Sequence, residues 1–257
     1  MGEDYISVTE IAGDEVTQEQ IDRLCNRYYW AGQYCKGKDV VEVACGTGQG
    51  LGYLSDIAGT LEAGDFSIDI LKIAQTHYGD RIELKQFDAQ NMPFEDKSKD
   101  VIILFEAIYY LENAEKFVEA CKRVLRPGGN VLIATANKDL SDFNPSPYSH
   151  NYYGVPEMKA LFERYEFKSQ FYGDTSIESV SIRQKFLRPI KKMMVSMGLM
   201  PKTMAGKKLL KRIAFGNLVQ MPAEIDAHTS TYVEPNPIPD DEPDRVHKVI
   251  YCAATRN

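Results

Sequence analysis

Three glycines at positions 46, 48 and 50 follow an apolar run at residues 40–44, and a helical pattern begins at Leu51. An apolar run that ends in a glycine-rich turn predicts a buried parallel strand leading into a helix. Backbone N–H groups and the positive helix end then converge at the turn, where they can bind the polar end of a nucleotide-like ligand. The turn is not a dinucleotide fingerprint, because Leu51 stands where that motif requires a third glycine.

Acidic residues follow the next two predicted strands. Asp65 ends the second strand pattern, and Asp88 directly follows the third. A carboxylate at the end of the second strand can accept hydrogen bonds from both ribose hydroxyls of a nucleoside. Phe66 offers an apolar face to a purine ring, and Asp88 with the backbone N–H of Ala89 can hydrogen-bond the polar edge of that ring. These residue types therefore predict a nucleoside site beside the glycine-rich turn.

Strand and helix patterns alternate around these residues. Further apolar runs predict strands at residues 101–105, 131–135, 166–172 and 246–254. The helix before the first strand opens with a capping box formed by Thr17 and Gln20. Alternating strands and helices predict a doubly wound α/β sheet.

Five short segments occur in the order and at the spacing of a known family. They are EVACGTGQG at 42–50, GDFS at 64–67, FDAQNMPF at 87–94, DVII at 100–103 and LRPGG at 125–129. Together they resemble the class I S-adenosylmethionine-dependent methyltransferases of the small-molecule type, methyltransferase domain 11. The resemblance covers roughly residues 20–175 and the final strand. It implies a Rossmann-like sheet of seven strands, with the last strand antiparallel between the fifth and the sixth.

The resemblance also implies the cofactor, S-adenosylmethionine, its product S-adenosylhomocysteine, and the residues that bind them. Gly46 and Gly48 would contact the methionine part, Glu42 would organise the turn, and Ala44 stands where many members have glycine. Tyr28 lies on the preceding helix, where stacking on the sulfonium and plain packing on the sheet stay open as alternatives. The predicted cofactor site comprises Tyr28, Glu42, Ala44, Gly46, Gly48, Asp65, Phe66, Asp88, Ala89 and Phe105.

Methyl transfer from a sulfonium requires alignment and exclusion of water, and a base only where the acceptor carries a proton. His150, in a long loop after the fifth strand, is the predicted base. Glu106, after the fourth strand, can orient the acceptor or accept its proton. Each also has a structural alternative, which is a loop hydrogen bond for His150 and a loop cap for Glu106. The predicted acceptor-binding residues are Tyr109, Tyr110, Asn137, Tyr148, Tyr152 and Arg183.

A basic segment separates the sixth and seventh predicted strands. Residues 183–212 contain ten Lys or Arg and no Asp or Glu. We expect residues 1–176 and 246–257 to form the methyltransferase domain, and residues 177–245 to form a helical insertion. A solvated helical cover, a lid for an anionic acceptor and a membrane-surface helix are the alternatives for this segment.

Composition excludes several other classes. The net charge of −7 argues against general nucleic-acid binding. No apolar run reaches the roughly 20 residues that span a bilayer, and the N-terminus lacks the apolar core of a signal peptide. The five cysteines and four histidines lack metal-ligand spacing. We therefore predict a cytoplasmic protein with reduced thiols and no metal, while a homodimer stays open.

The sequence favours methyl transfer to a small molecule, with a sugar hydroxyl or amine, free or nucleotide-linked, as the predicted acceptor. This finer prediction rests on a looser resemblance of residues 144–158 and 197–216 to methyltransferases of bacterial polysaccharide and sugar biosynthesis. Methylation of a carbon atom on a quinone-like acceptor is an alternative. A non-catalytic protein that binds S-adenosylmethionine is the alternative from a different class.

Overall fold

The computed structural model describes residues 9–177 and 218–257. The predicted basic helices at 183–212 and the predicted acceptor contact of Arg183 lie outside these residues. Within the described ranges, no helix is long and apolar enough to cross a membrane.

The helices and strands follow the predicted alternation. The strands are β1 (Glu15–Val16), β2 (Asp39–Val43), β3 (Thr60–Asp65), β4 (Glu83–Gln86), β5 (Lys99–Phe105), β6 (Leu125–Ala136), β7 (Phe167–Ser176), β8 (Val219–Gln220), β9 (Asn236–Ile238) and β10 (His247–Arg256). The α-helices are α1 (Gln18–Cys35), α2 (Leu51–Ile57), α3 (Ile68–Tyr78), α4 (Ala114–Val124) and α5 (Val155–Glu163). The predicted capping box opens α1, where Thr17 Oγ1 accepts from Gln20 N at 3.2 Å.

Eight strands form the main sheet in the order β4-β3-β2-β5-β6-β10-β7-β9. Strands β2 to β6 are parallel, and β10 runs antiparallel between β6 and β7. This order confirms the predicted Rossmann-like sheet with its last long strand reversed. The eighth strand, β9, was not among the seven predicted, because a three-residue segment with a central proline carries no strand pattern. Proline is tolerated there because β9 lies at the sheet edge.

Alternate residues of the central strands bury opposite faces of the sheet. On β5, Val101 and Ile103 pack with α1, whereas Ile102 and Leu104 pack with α4 and α5. Such two-sided burial explains the continuous apolar run in the sequence. Helices on both faces confirm the doubly wound architecture.

The described part of the predicted insertion, residues 218–245, packs on the main domain. Strand β8 pairs with β1 near the N-terminus, and β9 extends the main sheet. Met221 and Ile225 are buried in the same cluster as α1. The described residues 218–245 therefore contact the main domain, and the division expected from the sequence stays a prediction.

Strand order also explains where a ligand can bind. The chain passes from β2 outward to β3 and β4, then returns to β5 on the other side of β2 and continues to β6. The carboxyl ends of β2 and β5 therefore flank a switch point, where adjacent loops diverge and leave a crevice.

Candidate functional site

A cavity of about 550 Å³ opens at the carboxyl ends of β2, β3 and β5. Its size lies within the range of small-molecule pockets. One wall is formed by the predicted nucleoside-binding residues, and the opposite wall by a stripe of α1. The predicted site residues among its lining are Tyr28, Glu42, Ala44, Gly46, Asp65, Phe66, Asp88, Ala89, Phe105, Glu106, Tyr109 and Tyr110.

The two predicted turn glycines have different surroundings. Gly46 has a φ of +60° and lines the cavity, and its N–H donates to Asp65 Oδ2 at 3.0 Å. Gly48, at φ +83°, is not among the lining residues; its carbonyl accepts from the Tyr78 hydroxyl at 2.6 Å. A Cβ at Gly48 would lie 2.9 Å from the Tyr78 ring. Turn geometry and packing on α3 therefore explain this glycine, and its contact with the cofactor stays a prediction.

Ala44 adopts a left-handed backbone at the end of β2, with φ +54°. This conformation gives a physical reason for the glycine that many members of the resembled family have at this position. A left-handed conformation costs an L-residue roughly 1–2 kcal/mol, which glycine avoids. Glu106 occupies the equivalent position after β5 and is also left-handed, with φ +51°. Backbone strain thus occurs at both strand ends that flank the cavity, and such strain is often found at functional sites.

Asp65 connects the glycine turn to the next helix. Its Oδ1 accepts from Ser67 N at 2.8 Å and its Oδ2 from Gly46 N at 3.0 Å. The carboxylate keeps lone-pair capacity for a further donor, such as a ribose hydroxyl. Burial raises the pKa of Asp65, and the backbone donors oppose that rise. Beside it the Phe66 ring is 62% exposed on the cavity wall, a position suited to stacking on a purine.

Asp88 and Ala89 line the same end of the cavity. Asp88 Oδ1 accepts from Gln90 N at 2.8 Å and so caps the short helical turn Ala89–Asn91. The cap fixes the carboxylate next to the Ala89 backbone. This arrangement places an acceptor and a peptide group together, as the sequence predicted for a purine edge.

Glu42 is a buried carboxylate with one oxygen unpaired. Its Oε1 accepts from the Tyr28 hydroxyl at 2.6 Å, whereas Oε2 has no hydrogen-bond partner among the described residues. Burial raises the pKa of Glu42 to about 7, and the Tyr28 hydrogen bond and the Arg27 charge oppose that rise. An unpaired buried acceptor costs about 1–3 kcal/mol, so a ligand donor in the cavity would stabilise it.

Tyr28 both packs and lines the cavity, so the two alternatives for this residue are compatible. Its ring meets Phe105 edge-on, with centroids 5.3 Å apart. Tyr29 instead packs away from the cavity, with its hydroxyl donating to the Asp226 carbonyl at 2.6 Å.

The other end of the cavity contains Glu106 and two tyrosines. The Tyr109 hydroxyl donates to Glu106 Oε2 at 3.1 Å. Burial raises the pKa of Glu106, while the charges of Arg27 and Arg23 oppose that rise. Tyr110 lines the cavity, and its hydroxyl hydrogen-bonds Ser146 Oγ at 2.6 Å.

Besides Gly48, four predicted residues that the structure describes are not among those that line the cavity. His150 is exposed, and its backbone N–H donates to the Tyr109 carbonyl at 2.7 Å. Asn137 is buried and donates from Nδ2 to the carbonyls of Asp244 and His247, which ties β6 to β10. Tyr152 stacks behind Tyr109 at 4.3 Å, and Tyr148 is 41% exposed. The structure thus brings Glu106, and not His150, to the cavity.

Of the residues that α1 contributes to the cavity, only Tyr28 was predicted from the sequence. The residues of this helix that line the cavity are Gln20, Arg23, Leu24, Arg27 and Tyr28. Their spacing of i, i+3, i+4, i+7 and i+8 is one face of a helix, so the pattern was readable. The signal was the presence of two arginines on a face that otherwise packs on the sheet. Lys248 and Tyr251 of β10 were also missed, because a buried strand pattern does not indicate which end meets a ligand.

Comparison with known proteins agrees with this geometry. The family model described as "Methyltransferase domain" matches residues 41–133. A probable S-adenosylmethionine-dependent methyltransferase from Mycolicibacterium smegmatis is 30% identical over 140 residues, 52% of this chain and 53% of that protein. A demethylmenaquinone methyltransferase from Desulfitobacterium hafniense is 30% identical over 151 residues, 55% of this chain and 60% of that protein. These matches span only about half to three-fifths of the relatives.

Solved structures share the fold. A Thermotoga maritima protein described as a SAM-dependent methyltransferase, possible histamine N-methyltransferase, superposes with a TM-score of 0.57. The superposition covers 93% of this chain and 92% of that chain, at 12% identity. Residues 41–133 thus match the methyltransferase-domain model, and the chain is similar in sequence and in fold to S-adenosylmethionine-dependent methyltransferases.

Proposed function

We propose that this protein transfers a methyl group from S-adenosylmethionine to a small-molecule acceptor. The observation that carries the proposal is the shared cavity. The nucleoside-type residues Gly46, Asp65 and Asp88 line it together with the buried carboxylate of Glu106 and the hydroxyl-bearing Tyr109. Donor and acceptor could therefore be aligned in one cavity, which methyl transfer requires.

The residues present fit the cofactor. The unpaired Glu42 Oε2 offers an acceptor to an ammonium group, and such a contact would satisfy a buried oxygen. The lone pairs of Asp65 suit ribose hydroxyls, and the exposed ring of Phe66 suits adenine. When bound, the cofactor supplies a methyl group already activated on a sulfonium.

Glu106 is the base that we propose for a hydroxyl acceptor. The acceptor oxygen would bond to the methyl carbon while the carbon–sulfur bond breaks, and the acceptor proton would pass to the Glu106 carboxylate. A carboxylate with a raised pKa is a stronger base than an exposed one, and Tyr109 holds it by a hydrogen bond. His150 remains the alternative base, and the two are separated by substitution below.

For the acceptor, we retain a sugar hydroxyl or amine, free or nucleotide-linked, as the proposal from sequence, together with its setting in cytoplasmic polysaccharide biosynthesis. The hydrogen-bonding groups of Glu106, Tyr109 and Tyr110 support a polar acceptor. The relative named a demethylmenaquinone methyltransferase supports the alternative, carbon methylation of a quinone-like ring. A non-catalytic role would leave Glu106 without a chemical task.

The test is production of S-adenosylhomocysteine from S-adenosylmethionine in the presence of acceptor panels. One panel contains free and nucleotide-linked sugars, and the other contains reduced quinones. Turnover above the acceptor-free background supports an enzyme, and the productive panel identifies the acceptor class. Cofactor binding without turnover in either panel would favour the non-catalytic alternative.

A further inference from the structure

Helix α1 places two arginines on the cavity wall. Arg23 and Arg27 are four residues apart, so their side chains lie one above the other on the same helix face. Gln20 continues this face by one further turn. Side chains at this spacing can converge on one small group.

Neither arginine has a salt-bridge partner among the described residues. Arg27 Nε is buried without a hydrogen-bond partner. Its guanidinium lies 5.7 Å from the ring centroid of Tyr28 and 6.0 Å from that of Phe105. By contrast, Arg123, Arg126 and Arg164 each pair with a carboxylate. Burial opposes the charge of Arg27, but the nearby acidic groups, Glu106 and Glu10 among them, raise its pKa overall, so the guanidinium is held charged at the cavity without a direct ion pair among the described residues.

The charges of both arginines act to lower the pKa of Glu106, yet Glu106 forms a salt bridge with neither of them. Among the described residues, its side-chain hydrogen-bond partner is the Tyr109 hydroxyl. The guanidinium groups therefore retain donors for a further oxyanion, and Arg presents those donors in a fork that matches carboxylate and phosphate oxygens. Lys248 lines the same end of the cavity and is itself paired with Glu19 at 2.5 Å.

We propose that Arg23 and Arg27 form an anion-binding subsite that holds a phosphate or carboxylate group of the acceptor, an inference that rests on the proposed methyl transfer. The subsite adjoins Glu106 and Phe105, at the acceptor end, whereas Asp65 and Asp88 mark the nucleoside end. An anion held there would orient the acceptor so that its nucleophile reaches the methyl group beside Glu106. The acceptor is therefore an acidic small molecule.

The anion at this subsite could belong to the acceptor or to the cofactor, because S-adenosylmethionine carries a carboxylate of its own. The first arm of the test separates them by titration calorimetry with S-adenosylhomocysteine and with 5′-methylthioadenosine, which lacks the amino-acid part. Wild type is compared with Arg23→Gln, Arg27→Gln and the charge-retaining R23K and R27K. Arg164→Gln, on the distant surface beside Glu115, is the matched control.

In the second arm, each protein is saturated with S-adenosylhomocysteine and titrated with inorganic phosphate. Phosphate binding is measured by ³¹P line broadening. We expect the phosphate affinity to fall about tenfold in R23Q and R27Q, because each substitution removes a charged hydrogen bond. It should be partly restored in R23K and R27K and unchanged in R164Q. Affinity for S-adenosylhomocysteine should stay within about twofold of wild type.

Three outcomes would overturn the inference. Phosphate that binds equally to wild type and to R23Q and R27Q would show that no such subsite exists. A selective loss of S-adenosylhomocysteine affinity, with methylthioadenosine unaffected, would assign the arginines to the cofactor's carboxylate. A phosphate effect equal in R164Q would indicate nonspecific charge. Failure of wild type to bind S-adenosylhomocysteine would instead contradict the proposed function.

Discussion

Ala44 and Glu106 occupy the same strained position at the ends of two neighbouring strands, and both face the cavity. Sequence could place them there, because each directly follows an apolar run. It could not give their backbone conformation, which depends on how the loops leave the sheet. The acids Asp65 and Asp88 were predictable for the same positional reason. The lack of a hydrogen-bond partner for Glu42 Oε2 among the described residues was not predictable, since it depends on which hydrogen bond Tyr28 makes.

The proton acceptor can be identified by a pair of substitutions. If Glu106 is the base, Glu106→Gln should lower kcat by about 10²–10⁴-fold, because a neutral amide cannot take the proton. His150→Gln should stay near wild type, since His150 is exposed and away from the cavity lining. Steady-state kinetics with the productive acceptor, at saturating cofactor, measure both. A large loss of kcat in H150Q with little change of kcat in E106Q would identify His150 as the base.

At the scale of elements, the strand–turn–helix unit and the sheet order were predictable, because apolar periodicity and glycine spacing are local signals. The short pairings β1–β8 and β9–β7 were not, because two or three residues carry no period. The cavity face of α1 was readable from its helical spacing. The residues opposite that face could not be predicted from the sequence, since only the sheet order brings α1 over the ends of β2 and β5.

The glycine turn gives a prediction about stability at this scale. Gly48→Ala should lower the free energy of unfolding by about 2–4 kcal/mol, because it adds a left-handed alanine and a Cβ 2.9 Å from Tyr78. Gly128→Ala is the matched control, with φ +78° and nothing within 4 Å of the new Cβ. It should cost only the backbone contribution, about 1–2 kcal/mol. Urea denaturation measures both, and equal losses would show that packing on α3 adds nothing.

At the scale of the whole molecule, the buried carboxyl of Glu42 links folding to pH. Its pKa is raised by burial from 4.5 to about 7, so the folded protein binds a proton that the unfolded chain releases. This contribution is fully present below about pH 4.5 and is lost as pH rises to 7. The cofactor-free protein should therefore lose about 2–3 kcal/mol of stability from this group across that interval.

The measurement compares wild type with Glu42→Gln by denaturant unfolding at pH 5 and pH 8. Surface carboxylates with lowered pKa values, such as Asp39 and Glu224, change stability in the opposite direction in both proteins and so cancel. Relative to wild type, E42Q should be more stable at pH 8 than at pH 5. A difference independent of pH would mean that Glu42 does not titrate in this range.

Cofactor binding by the cavity is the central claim, and titration calorimetry with S-adenosylmethionine on wild type and Asp65→Asn tests it most directly. Asparagine keeps an acceptor oxygen for only one of the two backbone donors, Gly46 N or Ser67 N, and it removes the charge that would hold the ribose. We expect wild type to bind, and Asp65→Asn to bind about 10–100-fold more weakly. Asp69→Asn, on the exposed face of α3, should match wild type. Absence of binding by wild type, or equal affinity in D65N and wild type, would contradict the assignment of this cavity.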